Sequence, residues 1–232
     1  MKLTIIIPAH NEEENIADVI EKVKKSLDLP FELVVVNDHS SDNTAKIVEG
    51  LAGEYKDIKL VENNLEKGFA NALKTGFQNA QGDLVLPLMA DLCDDLKTIP
   101  LMVEKIEEGY DVVCGSRYLK GGARLGGSKF KAALSGFGGV SLYFLLGIPT
   151  HDIPNAFKMY RKNMLDNMDI KAKGFEISME IPLKAFYSGF KITEVPTIWK
   201  ERTKGKSNFK VFKLLPNYAW FYLWALYRRI RG

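Results

Sequence analysis

The chain reads as an α/β fold with a mostly parallel sheet and helices on both of its faces. Three observations carry this reading. Continuous apolar runs of strand length, such as Leu3-Thr4-Ile5-Ile6-Ile7 and Leu33-Val34-Val35-Val36, recur along the first half. Between them lie segments with the apolar spacing of amphipathic helices, and such alternation implies parallel strands covered on both sides. The runs end in polar loops, where an open α/β sheet places its ligand crevice. At 232 residues, 46% hydrophobic and 26% charged, the chain suits one large domain with a short appendage.

Leu3 to Pro8 is expected as a buried strand. Glu12 to Leu27 follows as a helix, because Ile16, Val19, Ile20, Val23 and Leu27 fall on one face. Phe31 to Val36 is a second strand, Asp42 to Tyr55 a helix, and Ile58 to Val61 a short strand. Gly68 to Ala80 is helical and leads into the central strand from Leu84. Thr98 to Glu108 is a helix and Asp111 to Cys114 a strand. Further on, Phe175 to Phe190 reads as a helix and Lys191 to Trp199 as a strand. There is no internal repeat and no low-complexity linker.

The stretch that organises the chain is Leu84-Val85-Leu86-Pro87-Leu88-Met89-Ala90-Asp91-Leu92-Cys93-Asp94-Asp95, an apolar run that ends in three carboxylates. Acids at a strand end suit a hard cation that prefers oxygen ligands and shares them with a phosphate. Asp94 or Asp95 could instead cap the helix that follows, whereas a cap has no need of Asp91. The second strand ends in Asn37-Asp38-His39-Ser40-Ser41-Asp42-Asn43-Thr44. Asp38 lies deep enough to accept hydrogen bonds from a ribose or base edge, and Asp42 reads as a turn or cap residue. In Glu66-Lys67-Gly68, Lys67 could reach a phosphate as a point charge. The first strand ends in Pro8-Ala9-His10-Asn11-Glu12 and not in a G-x-G-x-x-G turn, which argues against a dinucleotide-binding domain.

Six segments in order resemble the inverting family 2 glycosyltransferases of the GT-A, Rossmann-like fold, and among them the polyprenyl-phosphate or dolichyl-phosphate mannose or glucose synthases. They are Ile7 to Glu12, Val36 to Thr44, Lys67 to Ala72, Met89 to Leu92, Gly115-Ser116-Arg117-Tyr118 and Glu194-Val195-Pro196. The resemblance spans roughly residues 3–210. It implies a nucleotide sugar donor, of the GDP-mannose or UDP-glucose type, and a divalent cation, Mg²⁺ or Mn²⁺. Pro8, Ala9, Asn11, Glu12, Asp38, Lys67, Ala90 and Asp91 match the donor-binding positions. Asp91 matches the second acid of a D-x-D-type metal motif. The first acid is replaced by Met89, a poor ligand for a hard cation, and a position often held by Gln is Cys93. Metal binding then rests on Asp91, with Asp94 and water as candidate helpers.

Beyond Tyr118 the chain changes character, with no Asp or Glu from Leu119 to His151. Lys120, Arg124, Lys129 and Lys131 stand among glycines, as in a mobile loop over phosphates. Arg117, Arg124, Lys131 and Arg202 are the candidates for an acceptor phosphate, and Asp91, Arg117 and Arg202 for catalysis. Arg117 offers a planar fork, and Arg202 begins a segment resembling the family's R-x-x-G-x-S. Asp152 matches an acid that orients either a basic residue or the acceptor. His151 shows no partner in the sequence. Glu180 lies either near the active site or in a buried ion pair. The uncharged stretch Ala132 to Ile148 reads as a roof or membrane-surface helix, or as a core helix.

Residues 200–232 hold nine Lys or Arg against one Glu, a net of +8, which leaves −5 for residues 1–199 in a chain of net charge +3. Lys210 and Lys213 precede an aromatic block, and Arg228, Arg229 and Arg231 follow it. The uncharged part, Leu214 to Tyr227, is too short to span a bilayer. The expected division is a catalytic domain over 1–208 and an amphipathic, interfacial helix over 209–232. The expected partners are the donor, a polyprenyl phosphate and a membrane surface, with no nucleic acid. With two cysteines and no signal peptide read at the start, the expected location is the cytoplasmic side of the membrane, with peripheral or monotopic attachment through the tail. Two rivals stay open, a family 2 enzyme with a saccharide or other hydroxyl acceptor and a degenerate sugar-nucleotide-binding membrane protein.

Overall fold

The computed structural model describes residues 1–91, 93–202 and 211–231, and the side chains of Val211 and Phe212 fall outside that description. Leu92, Lys210 and the part of the R-x-x-G-x-S-like segment after Arg202, which is residues 203–207, lie outside the described residues.

Among the described residues, seven strands form one sheet. They are β1 (Leu3–Ala9), β2 (Phe31–Asn37), β3 (Ile58–Glu62), β4 (Leu84–Pro87), β5 (Val112–Ser116), β7 (Lys158–Arg161) and β8 (Ile192–Pro196). Their order is β3-β2-β1-β4-β7-β5-β8. The pairs β1–β2, β1–β4, β2–β3 and β5–β8 are parallel, with Ile5 opposite Leu33 and Leu86. Of these seven, only β7 runs antiparallel, wedged between β4 and β5 with Tyr160 opposite both Val85 and Val112. A second, two-stranded parallel sheet joins β6 (Ala123–Leu125) to β9 (Ile198–Lys200).

The described residues form eight helices, α1 (Ile16–Ser26), α2 (Thr44–Glu54), α3 (Phe69–Asn79), α4 (Thr98–Glu107), α5 (Lys129–Leu146), α6 (Lys162–Asp166), α7 (Ile177–Tyr187) and α8 (Val211–Arg231). The strand period of two decides which helices meet which face. Ile5 and Ile7 join a core with Val19 and Ile20 of α1 and Ile99 and Met102 of α4. Ile6, Val34 and Val36 point the other way, to Leu73 and Phe77 of α3, Leu142 of α5, Leu183 of α7 and Phe221 of α8. Gly76 lets α3 close onto the sheet, because a Cβ there would collide with Ile6.

The expected elements of the first half are present, each within a few residues of its expected ends. α1 starts four residues after Glu12 because Glu12 O is taken by the turn amides of Asn15 and Ile16. β6, β7 and α6 had no counterpart in the sequence reading. α8 is amphipathic, and its inner face is part of the molecule's core: Phe221 and Ala225 are buried in it. Tyr218 donates to Phe175 O at 3.0 Å and Tyr222 Oη lies 3.0 Å from Ser141 Oγ. Among the described residues, no helix is long and apolar enough to cross a membrane.

Candidate active site

A cavity of about 1090 Å³ opens at the carboxyl ends of the parallel strands. Its wall gathers Pro8, Ala9, Glu12, Asp38, Lys67 and Asp91 from the loops after β1 to β4. Arg117, Arg124, Lys131 and Arg202 line it from the other side. Ten of the twelve site residues expected from sequence therefore share one space.

Asn11 and Ala90 do not line it. Asn11 takes a left-handed φ of 54° and spends its polar groups on the neighbouring loop. Its N–H donates to Ser40 Oγ at 3.1 Å and its Oδ1 accepts from Ser41 N at 2.8 Å. It ties the β1–α1 loop to the β2–α2 loop. Ala90 is buried in the core.

On the β1–β2 side, Asp38 is buried and organises the next loop. Its carboxylate accepts from Asn63 Nδ2 at 2.7 Å and from Gly68 N at 3.0 Å. A carboxylate has about four lone-pair positions, so acceptor capacity remains for a ligand. Lys67, expected at a phosphate, has its Nζ 2.7 Å from His10 Nε2.

At the end of β4, Asp91 Oδ1 accepts from Cys93 N at 3.2 Å. The two acids that compete as caps have separated. Asp95 Oδ1 accepts from Lys97 N, a turn bond just before α4. Asp94 is turned inward, 7% exposed, and its Oδ2 has no hydrogen-bond partner among the described residues. Burial pushes its carboxyl up to about 7, with the Asp91 charge adding to the effect and Arg117 opposing it.

Among the described residues no three His, Cys, Asp or Glu side chains form a metal cluster. Burial, and then the Asp91 charge, drive the Cys93 thiol well above the ordinary range, and a thiol is a soft donor that a hard cation does not favour. The fit to a hard cation rests on two carboxylates. Asp91 lines the cavity, and Asp94, close behind it, keeps one buried oxygen without a hydrogen-bond partner among the described residues. Mg²⁺ commonly takes one or two carboxylates and completes its shell with water and substrate phosphate, so this donor set suits it.

Arg117 is nearly buried, and its fork is engaged within the protein. Nε lies 2.7 Å from Asp152 Oδ2 and Nη2 2.8 Å from Oδ1, with Ser135 Oγ a further 3.0 Å partner. Asp152 is fully buried and holds this guanidinium in place at the cavity wall. Gly139 makes room for the arrangement, because a Cβ there would strike the His151–Asp152 backbone. Arg124 lies over the Trp199 ring at 4.3 Å, its buried Nε without a hydrogen-bond partner among the described residues. Arg202 pairs with Glu12 at 3.1 Å, closing the cavity between the first loop and the last described residue before α8.

Other side chains were missed in the sequence or left open by it. His151 does have a partner: Nδ1 lies 2.5 Å from Glu194 Oε1, and the ring stacks on Tyr143. Glu180 is the buried structural acid, bonded to Lys184 and to the amides of Lys171 and Ala172. His10, Phe69, Phe175 and Trp199 also line the cavity, with Phe69 and Phe175 stacked at 4.4 Å. His10 and Phe69 sit inside two of the six family-like segments, whereas nothing in local spacing singles out Phe175 and Trp199, which the fold alone brings there.

The pattern of Glycosyl transferase family 2 matches residues 4–168. Dolichol-phosphate mannosyltransferase of Pyrococcus furiosus is 34% identical over 215 residues, covering 90% of this chain and 60% of that protein. Undecaprenyl-phosphate 4-deoxy-4-formamido-L-arabinose transferase of Proteus mirabilis is 32% identical, covering 92% and 64%. The chain thus spans somewhat under two thirds of the length of these relatives. Glucosyl-3-phosphoglycerate synthase of Mycobacterium tuberculosis, solved with Mn²⁺, UDP and glucosyl-3-phosphoglycerate, superposes with a TM-score of 0.70 at 18% identity, covering 98% of this chain and 79% of that one. That likeness fixes the fold as GT-A-like. The family pattern runs from β1 to the turn after α6, through the strand ends that build the cavity, and the chain belongs to glycosyl transferase family 2.

Proposed function

We propose that the chain transfers a hexose from a nucleotide sugar, of the GDP-mannose or UDP-glucose type, to a polyprenyl or dolichyl phosphate with inversion. The observation that carries this is the continuity of the cavity. It runs from Pro8, Asp38 and Asp91 past the basic cluster to apolar side chains of α5 and α8, including Leu134, Phe137, Leu215 and Leu223. A donor end, a cationic middle and an apolar exit match a nucleotide, two phosphate groups and a lipid tail. Both relatives are named for polyprenyl-type phosphates.

The acceptor phosphate is already anionic at neutral pH, so the nucleophile needs no strong base. The protein's part is positioning and charge stabilisation. Arg117, fixed by Asp152, and Arg124, seated on Trp199, would face the acceptor phosphate together with Lys131. Arg202 would serve the departing diphosphate from the donor side. Asp91 and Asp94 would hold a divalent cation, Mg²⁺ or Mn²⁺, which when bound would draw negative charge from that diphosphate. A hydroxyl acceptor would need a carboxylate base instead, and Asp152 is unsuited to that task, fully buried with both oxygens on Arg117.

Attachment to the membrane surface would use two helices. α5 exposes Phe137 and Phe144 at 70% and 76%, while α8 exposes Trp220, Leu223 and Ile230. Lys129 and Lys131 at the start of α5, and Arg228, Arg229 and Arg231 at the end of α8, supply charge for anionic lipid.

The test is a donor panel offered to a polyprenyl phosphate with and without Mg²⁺ or Mn²⁺, read by mass spectrometry. A glycosylated polyprenyl phosphate is the expected product. Transfer only to soluble saccharides would favour a hydroxyl acceptor, and no turnover with any donor would leave a binding protein.

A further inference from the structure

We propose that His10 is a positioning residue of the donor site, whose neutral imidazole holds the Lys67 ammonium at the nucleobase end of the cavity for contact with a base carbonyl. This rests on the nucleotide-sugar reading above. His10 Nδ1 lies 2.8 Å from the backbone oxygen of Asp38, which can only accept. Nδ1 therefore carries the ring hydrogen and donates it, which leaves the lone pair on Nε2. Lys67 Nζ, which can only donate, lies 2.7 Å from that Nε2. The two bonds are consistent only with a neutral ring of one tautomer. The ammonium keeps further hydrogens for a ligand, and both side chains line the cavity.

The sheet order separates this pair from the diphosphate. Asp91 follows β4, His10 follows β1, Asp38 follows β2 and Lys67 follows β3, in the order β3-β2-β1-β4. Neighbouring strands stand about 4.8 Å apart, so the Asp38 strand end lies roughly 10 Å to the side of Asp91. With its diphosphate at Asp91, a nucleotide laid along the wall past His10 and Asp38 would bring its base to Lys67, away from the apolar side chains of α5 and α8. There an ammonium set against the edge that differs between the bases distinguishes O4 of uracil or O6 of guanine from the exocyclic amine of cytosine or adenine. A site built to hydrogen-bond one group rejects its replacement strongly.

Calorimetric titration of the full chain with UDP, GDP, CDP, ADP and inorganic pyrophosphate tests this. UDP or GDP should bind at least tenfold more tightly than CDP and ADP. Lys67→Met should bring that ratio towards one while changing pyrophosphate affinity less than threefold. His10→Phe, which offers no acceptor, should lower the ratio similarly. His10→Gln, with one donor and one acceptor, should restore most of it, which a packing role alone would not give. Nucleotide binding without base preference in the wild type would overturn the proposal and leave the donor reading standing. So would an equal loss of UDP and pyrophosphate in Lys67→Met, which would place Lys67 at a phosphate. Failure of every nucleotide to bind would overturn both.

Discussion

Met89 is a thioether at a position where a hard cation would want an oxygen, and it leaves Asp91 as the one motif acid at the cavity wall. Asp91→Asn should therefore nearly abolish transfer and weaken Mn²⁺ binding in the presence of nucleotide. Met89→Asp should be tolerated and should tighten Mn²⁺. Full activity of Asp91→Asn at saturating donor would exclude the assignment. Arg117 gives a second residue-level prediction. Arg117→Lys keeps the charge but loses one arm of the fork on a fully buried carboxylate. It should lower stability by about 1–3 kcal/mol, measured by urea unfolding, and raise the acceptor KM more than the donor KM. Equal stability would mean that the substituted ammonium satisfies both oxygens of Asp152, and loss of donor affinity alone would move the residue to the donor side. The sequence made Asp91 and Arg117 legible through residue type and motif register. It did not show that Arg117 is already bonded to Asp152, or that Glu12 meets Arg202 across 190 positions. Those pairings exist only once the sheet has folded.

The elements most visible in the sequence are those whose burial imposes a period. The apolar strands and the amphipathic α1 are examples, while β7 escaped. Its four residues begin with a lysine and end with an arginine, so neither a run nor an alternation marks it. Lys158 is nonetheless fully buried, with its ammonium donating to the carbonyls of Ile153, Asn155 and Ser178. Burial pulls its pKa down to about 8 from 10.5, with Cys114 and Asp152 opposing that and Arg117 adding to it. The folded pKa is below the unfolded one, so between about pH 8 and 10.5 the unfolded chain binds the extra proton. Stability from this group then rises with pH across that window, by roughly 3 kcal/mol. Lys158→Met strands three carbonyls and should be less stable at every pH. Its deficit should widen between pH 8 and pH 10.5. Parallel unfolding curves for the two proteins across that range would mean that Lys158 titrates normally.

For the whole molecule, the question is what covers the outer faces of α5 and α8. The inner face of α8 completes the core through Phe221 and Ala225, so the tail is more than an anchor. Removing residues 211–232 should destabilise the fold and is a poor test of membrane binding. Point changes on the outward faces separate the two roles. Phe137, Phe144, Trp220 and Leu223 are all more than 60% exposed. Serine at each should move the melting temperature little, because exposed positions away from special features rarely exceed about 0.5 kcal/mol. An inserted aromatic or leucine contributes about 1.5–3 kcal/mol by burial. Phe137→Ser with Phe144→Ser, or Trp220→Ser with Leu223→Ser, should therefore weaken co-sedimentation with anionic liposomes by about tenfold or more. Transfer to a short, water-soluble polyprenyl phosphate should survive in Phe144→Ser and Trp220→Ser, which lie outside the cavity wall. If only the α8 pair matters, α5 serves as the roof of the cavity and the membrane contact narrows to one helix. If neither matters, the exposed aromatics face another partner. The cavity between the two helices would then need a different route for its lipid, because Phe137 and Leu223 belong both to its wall and to the outer surface.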